Sequence, residues 1–248
     1  FYGVSQATLE QKNEAALALL HQAKFEEAKT LLNEVLDTSK NDSKAYANAK
    51  YISGELLLML GSYSEALQSF NEAKNINQLA GRKSLVAQNL SEIGITYWKL
   101  GNRESALDYL ELSETIRKEL GLEKELGDSY NNIGLIWSEE NLDKSLEYYT
   151  LANDQYRKSL GEKHPNYIIT DINIAINMRN KGMLWEAIKR FENTYGNWSK
   201  VYGENHPKLA FINANMGQCY FLQEDYHAAI ICLQHAITAY KSNYGNQH

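Results

Sequence analysis

Proline is scarce in this sequence, with two residues, Pro165 and Pro207, among 248. Because proline interrupts helices and central strands, its scarcity beside abundant Ala, Leu, Glu, Lys and Gln favours a chain that is helical almost throughout. Cysteine is equally scarce, and Cys219 and Cys232 cannot form the disulfide framework of a small secreted protein. We interpret both cysteines as small residues of the core.

Long apolar runs and blocks of positive charge are also missing. The longest apolar stretches, such as residues 56–60 and 228–233, are far too short to cross a bilayer. The net charge is -6, and no run of five or six Lys or Arg residues occurs. The electrostatic footprint of a nucleic-acid-binding protein is therefore missing. We expect neither nucleic-acid binding nor insertion into a membrane.

Motifs that carry chemistry are absent. The sequence contains no G-x-S-x-G, P-loop, H-E-x-x-H or cysteine-rich metal motif. Adjacent acidic residues such as Glu139 and Glu140 point to different sides of a helix, so a solvated surface explains them better than an acid–base pair. His164 and His206 precede the two prolines without other ligands at metal spacing, and we assign them a capping or turn role. We expect no catalytic residue, cofactor or metal.

Glycine, by contrast, recurs at steps of 40 to 42 residues, at Gly81, Gly121, Gly161, Gly203 and Gly245. Asn41 lies one further step of 40 residues upstream. Asparagine is second to glycine in tolerating the left-handed conformation that ends many helices. A fixed period in this range indicates a stacked array of structural repeats, each ending at one of these residues.

Each repeat carries two small residues on helical faces. In the third repeat Gly94 is followed by Tyr97, and the second small residue, Ala106, comes 12 positions after the first, as in five of the six repeats. In the fourth repeat the distance is 11, from Gly134 to Ser145, which predicts a turn shorter by one residue. Small residues let two helices pack closely, and the large neighbour fills the groove. The pattern therefore predicts six helical hairpins.

The motif Gly217-x-x-Tyr220 followed by Ala229, like its counterpart in the third repeat, resembles the tetratricopeptide repeat (TPR). The likeness covers residues 9–245. The chain departs from the family in its period of 40–42 instead of 34, in glycine instead of proline at the end of the second helix, and in Arg103 where an aromatic residue is typical. The resemblance implies an all-α fold, a right-handed superhelical solenoid of about six antiparallel helix pairs.

The connection from Leu160 to Pro165 recurs 42 residues later, ending at Pro207. This longer repeat resembles the kinesin light chain type and bacterial multi-TPR proteins. Glycine is predicted to close the second helix in a left-handed cap, and proline to open the next helix. We predict a leader or cloning remnant at residues 1–8 and one TPR domain at 9–248, with repeats at about 9–41, 43–81, 82–121, 122–161, 164–203 and 206–245.

The two ends of the sequence raise further expectations. Residues 244–248 begin the same connection that precedes the two prolines, so we expect an array that is truncated at its C-terminus and continues into a further helix or domain. The apolar start with Ser5-x-Ala7 resembles the end of a signal peptide. A cytoplasmic location is favoured, and a signal-peptide remnant at residues 1–7 is the alternative.

The candidate binding residues lie on the first helices of the fourth, fifth and sixth repeats. Asn132, Asn173 and Asn215 each lie two residues before the small residue of their repeat, and an amide suits the backbone of an extended peptide. The resemblance supports this role, because TPR proteins commonly contact ligand backbone with this asparagine. The alternative is that these amides bind neighbouring backbone or face water. The groove beside them is predicted to be lined by Leu135, Ser138, Ile176, Arg179, Gln218 and Phe221.

We interpret the chain as a non-catalytic scaffold that binds a peptide or a partner protein in its concave groove. The alternative is a regulatory or substrate-docking TPR region of a larger bacterial enzyme, such as a caspase-like peptidase or a sensor kinase. A peptide-pheromone receptor is disfavoured, because those proteins carry an additional N-terminal helical bundle. A clamp for chaperone tails is disfavoured too, because Lys99 and Arg179 do not reproduce its set of cations.

Overall fold

The computed structural model describes residues 6–40, 43–203 and 206–244. These residues form twelve α-helices and no strand, which confirms the predicted all-α fold of six helix pairs. The helices are α1 (Gln6–His21), α2 (Phe25–Thr38), α3 (Lys44–Met59), α4 (Tyr63–Leu79), α5 (Lys83–Lys99), α6 (Arg103–Glu119), α7 (Glu123–Trp137), α8 (Leu142–Leu160), α9 (Pro165–Asn180), α10 (Leu184–Tyr202), α11 (Pro207–Leu222) and α12 (Tyr226–Tyr244). The predictions for residues 1–5, Asn41 and Gly245 lie outside the described residues.

The chain divides into two compact units, Phe1–Gly121 and Leu122–His248. Unit 1 contains helices α1 to α6 and unit 2 contains α7 to α12, three hairpins in each. Within a unit the second helix of one hairpin also packs against the first helix of the next, as α4 does against α5 and α10 against α11. Stacking thus buries the apolar face that a single hairpin would leave exposed. Within the described residues, no helix is both long enough and apolar enough to cross a membrane.

Glycine at the crossing point of a hairpin lets its two helices touch. A Cβ atom at Gly54 of α3 would lie 2.5 Å from Cε1 of Phe70 in α4, and this ring is fully buried. A Cβ at Gly134 of α7 would likewise lie 2.9 Å from Cδ1 of Tyr149 in α8. The predicted contact between a small and a large residue is therefore confirmed, and it fixes how closely the paired helices approach.

In five of the six described hairpins the turn depends on one residue with a positive φ angle. At Gly101, with φ of 78°, the amide donates to the carbonyl of Trp98 at 2.9 Å, and the next amide, of Asn102, donates to the carbonyl of Tyr97 at 2.9 Å. This pair of hydrogen bonds is the Schellman arrangement that satisfies the last carbonyls of a helix. Glycines with similar φ angles hold the same position in two other hairpins, Gly61 and Gly182.

Two hairpins place a residue other than glycine at this position. Ala23 has a φ of 56° and Glu224 a φ of 65°, and both follow the same hydrogen-bonding pattern. The left-handed conformation is unfavourable for a residue with a Cβ, so both turns carry a local cost. In the fourth hairpin no residue between Trp137 and Leu142 has a positive φ, in agreement with the shorter turn predicted there.

The connections between the hairpins of unit 2 correct one prediction. Gly161 has φ of 83° and ψ of 163°, and Gly203 has φ of 82° and ψ of 161°. The prediction of a left-handed cap was wrong at these two glycines, because ψ is extended, although the positive φ does favour glycine. An extended ψ directs the chain away from the finished helix toward the start of the next one.

The two histidines cap the helices that follow these glycines. Nδ1 of His164 accepts a hydrogen bond from the backbone amide of Asn166 at 3.2 Å, and Nδ1 of His206 accepts one from the amide of Lys208 at the same distance. Proline follows each histidine in the first turn, where its missing N–H costs nothing. The predicted capping role is thereby confirmed.

Gly54→Ala is expected to lower the free energy of unfolding by about 1–3 kcal/mol, because the new methyl group must displace the buried ring of Phe70. The matched control is Gly196→Ala in α10, where a Cβ would meet no atom within 4 Å. There the free energy should rise by about 0.5–1 kcal/mol, because alanine loses less backbone entropy. Urea unfolding measures both values, and equal effects of the two substitutions would contradict the packing described.

Ala23→Gly is expected to raise the free energy of unfolding by about 0.5–1 kcal/mol, because glycine adopts the positive φ without steric cost. Ala18→Gly, at an exposed position inside α1, serves as the control and should lower it by about 1 kcal/mol. Thermal unfolding of the two variants shows whether each substitution raises or lowers the free energy of unfolding. A loss of stability in both variants would show that the turn at Ala23 is unstrained.

Candidate partner-binding face

The predicted binding residues lie on or immediately after the first helices of the three hairpins of unit 2. We call this surface the α7/α9/α11 face; its residues are Asn132, Leu135, Ser138, Asn173, Ile176, Arg179, Asn215, Gln218 and Phe221. Asn132 and Asn173 are half-buried, whereas Asn215 is only 7% exposed. The structure brings seven of these residues together in two groups, one around a cavity and one around Arg179, and Asn132 and Phe221 lie in neither group.

A cavity of about 180 Å³ lies between α7, α8 and α9. Four predicted face residues and four other residues line it, namely Leu135, Ser138, Leu142, Tyr149, Asn173, Ile176, Asn177 and Asn180. An apolar cavity of about 150 Å³ accommodates benzene in another protein, so this volume suits one side chain. Burial raises the pKa of Tyr149 to about 12, against a smaller opposite effect of Ser138, so its hydroxyl stays neutral.

Asn177, which lines this cavity, has a hydrogen-bond acceptor that is unsatisfied within the described residues. Its Nδ2 donates to Oγ of Ser145 at 2.6 Å, while its buried Oδ1 has no partner among the described residues. A buried acceptor without a donor is costly, and a ligand N–H could satisfy it. This residue was not predicted from the sequence. The available signal was a polar residue three positions after the apolar Ile174, and therefore on the same side of the helix.

Asn173 lies at the same cavity with one end of its amide weakly engaged. Its Nδ2 is 3.5 Å from Oδ1 of Asn131, which also accepts from Oγ1 of Thr170 at 3.3 Å. Its own Oδ1 makes no hydrogen bond within the described part of the chain. Asn173 therefore offers an acceptor to a ligand, next to that of Asn177.

Arg179 of α9 joins this helix to α11. Its Nη1 donates to Oδ1 of Asn215 at 2.6 Å and also to Oε1 of Gln218, and its Nε and Nη2 donate to Oδ1 of Asn180 at 3.3 and 3.1 Å. Nδ2 of Asn215 donates to the carbonyl of Phe211 at 2.8 Å. Both ends of the Asn215 amide are thus engaged inside the protein, and its observed contact is with Arg179.

Three amide side chains hold the guanidinium of Arg179, and all three are neutral. The positive charge is therefore fixed in position without being neutralised by these partners, which suits an acidic group on a ligand. At the end of α11 the ring of Phe221 is 59% exposed and contacts Tyr226 edge-on, with 5.7 Å between centroids. An exposed aromatic ring in this position is a suitable anchor for a partner.

Six helical hairpins of about 40 residues, with a polar face on their first helices, define a helical-repeat protein. The tetratricopeptide-repeat profile matches residues 46–119 and 169–242, which together exceed half of the chain. The chain belongs to the tetratricopeptide-repeat family. No curated protein matches the sequence significantly.

Solved structures with the same fold have low sequence identity to this chain. A putative kinesin light chain repeat protein from Podosopora anserina is 14% identical, with a TM-score of 0.69 over 83% of this chain and 99% of that one. The STAND protein PH0952 of Pyrococcus horikoshii, which has a tetratricopeptide-repeat sensor, is 16% identical. Its TM-score is 0.75 over 94% of this chain and 36% of that one. NprR, solved in complex with its cognate peptide NprX, is 19% identical, with a TM-score of 0.62 over 95% of this chain and 68% of that one.

Proposed function

We propose that this protein is a scaffold that binds a peptide, or an extended segment of a partner protein, on the α7/α9/α11 face. The observation that carries the proposal is the cavity between α7, α8 and α9, where Leu135 and Ile176 meet the amides of Asn173 and Asn177. Apolar walls with a few polar groups are the usual composition of a ligand site. The proposal assigns binding alone to these residues and no catalytic step.

A bound peptide would use three kinds of contact. One apolar side chain would enter the cavity, where burial of apolar surface contributes about 25 cal/mol per Å². The peptide backbone would hydrogen-bond to the side-chain amides of Asn132 and Asn173. A further N–H of the peptide would donate to Oδ1 of Asn177, which is buried without a partner in the described chain. An acidic group of the peptide would pair with Arg179, whose observed partners are neutral.

Two comparisons support this reading by analogy of fold. NprR has the same fold and was crystallised with the peptide NprX. The STAND protein PH0952 has a tetratricopeptide-repeat sensor within a much longer chain, of which this chain spans 36%. This favours a second candidate, in which the same face is the sensory or substrate-docking region of a larger protein. Peptide binding is common to both candidates, and the second adds a covalently attached output domain.

The test uses an array of random 12-residue peptides, probed with the wild-type chain and with Asn132→Ala/Asn173→Ala. Peptides captured by the wild type are then titrated in solution by fluorescence anisotropy. Loss of two hydrogen bonds to the ligand, each contributing about 1 kcal/mol, should weaken binding at least about tenfold. Asn215 is left unchanged because its amide holds Arg179.

The matched control is Asn193→Ala/Asn197→Ala, which removes two exposed asparagines from α10 in the same unit. The control should bind the captured peptides as tightly as the wild type. Failure of the wild type to capture any peptide would reject peptide binding. Equal affinity of wild type and Asn132→Ala/Asn173→Ala would remove the α7/α9/α11 face from the site.

A further inference from the structure

Unit 1 contains a larger cavity on the first helices of its own hairpins. Its volume is about 320 Å³, and residues of α1, α3, α4 and α5 line it. The residues of the α7/α9/α11 face all lie in unit 2. The walls combine acidic side chains and amides with the apolar side chains of Leu17, Ile52 and Leu85. This mixture suits a ligand group that has both an apolar stem and a polar head.

Asn13, which lines this cavity, has a buried acceptor that is unsatisfied within the described residues. The residue is 2% exposed, and its Nδ2 donates to the carbonyl of Ala45 at 2.9 Å, which links α1 to α3. Its Oδ1 has no hydrogen-bond partner within the described residues. Because the donor end of the amide is already used, the cavity calls for a ligand that donates a hydrogen bond.

The charges around the cavity favour a cation. Glu10 and Glu14 of α1 both line it, with Lys44 of α3 as the single cation among its lining residues. Nζ of Lys44 lies 3.8 Å from Oε1 of Glu10, whose Oε2 accepts a hydrogen bond from Nδ2 of Asn48 at 2.9 Å. Glu14 is exposed and makes no ion pair within the described chain. One carboxylate therefore remains for a positively charged ligand.

Tyr51 adds an aromatic wall to the same cavity. Burial, with the nearby carboxylates of Glu92 and Glu55, raises the pKa of Tyr51, so the phenol stays neutral at physiological pH. A neutral aromatic ring attracts a cation over its face, with a strength that depends on the geometry. The ring thus favours the same class of ligand as the carboxylates and the amide oxygen.

We infer that this cavity is a site for the cationic side chain of a lysine or arginine in a partner peptide. The methylene stem would contact Leu17, Ile52 and Leu85, and the head would donate to Oδ1 of Asn13 and pair with Glu14. The site lies wholly within unit 1 and uses none of the residues of the α7/α9/α11 face. Its charge requirement can therefore be tested on residues that the function proposed for unit 2 does not use.

The probe is n-butylguanidinium chloride, with n-butylammonium chloride as the second cation and sodium butyrate as the anion of matched size. The full chain, labelled with ¹⁵N, is titrated with each compound while the side-chain amide signals of Asn13 are followed by NMR. We expect both cations to shift these signals saturably, because they occupy the cavity next to the amide. Sodium butyrate should leave them unchanged.

The charge requirement is tested with Glu10→Gln/Glu14→Gln, which keeps the shape of both side chains and should weaken n-butylguanidinium binding at least about threefold. Glu104→Gln/Glu111→Gln changes the net charge equally at exposed positions of α6 and should bind as the wild type does. The inference is overturned by unshifted Asn13 signals with both cations, by equal shifts with butyrate, or by unchanged affinity in Glu10→Gln/Glu14→Gln. None of these results bears on peptide capture by unit 2.

Discussion

The close approach of two helices at a residue without a side chain is the constraint on which the rest of the structure depends. At Gly54 the ring of Phe70 occupies the space that a Cβ would need, and similar contacts recur in other hairpins. Because this contact sets the distance between paired helices, it also sets how the next hairpin can stack. The positions of polar side chains on the first helices follow from that spacing.

The fixed spacing also determines which amide groups find partners within the protein. Asn13 and Asn177 each use their Nδ2 to join two helices, and each leaves a buried Oδ1 without a partner in the described chain. Here the amide that stabilises the hairpin stack is also the amide that can recognise a ligand, so packing and binding depend on the same residues.

Local features were predictable from the sequence, whereas features that depend on distant residues were not. The hairpins and the histidine caps follow from spacing and turn chemistry over a few residues, and the structure agrees with both. The ψ angle of Gly161 was missed because it depends on where the next helix starts. The pairing of Arg179 with Asn215 joins residues 36 positions apart, so no local pattern reveals that Asn215 holds a cation.

The guanidinium of Arg179 also has a consequence for the rate at which ligands arrive. Its three amide partners orient it but carry no charge, so its field extends into solution until salt screens it, over about 8 Å at physiological ionic strength. The chain as a whole is negative, at -6, which slows the approach of acidic ligands in general. The rate at which an acidic ligand first encounters this face should therefore respond weakly to salt, because at long range repulsion by the whole chain offsets attraction by Arg179. The final docking step of that ligand should become faster as the salt concentration is lowered.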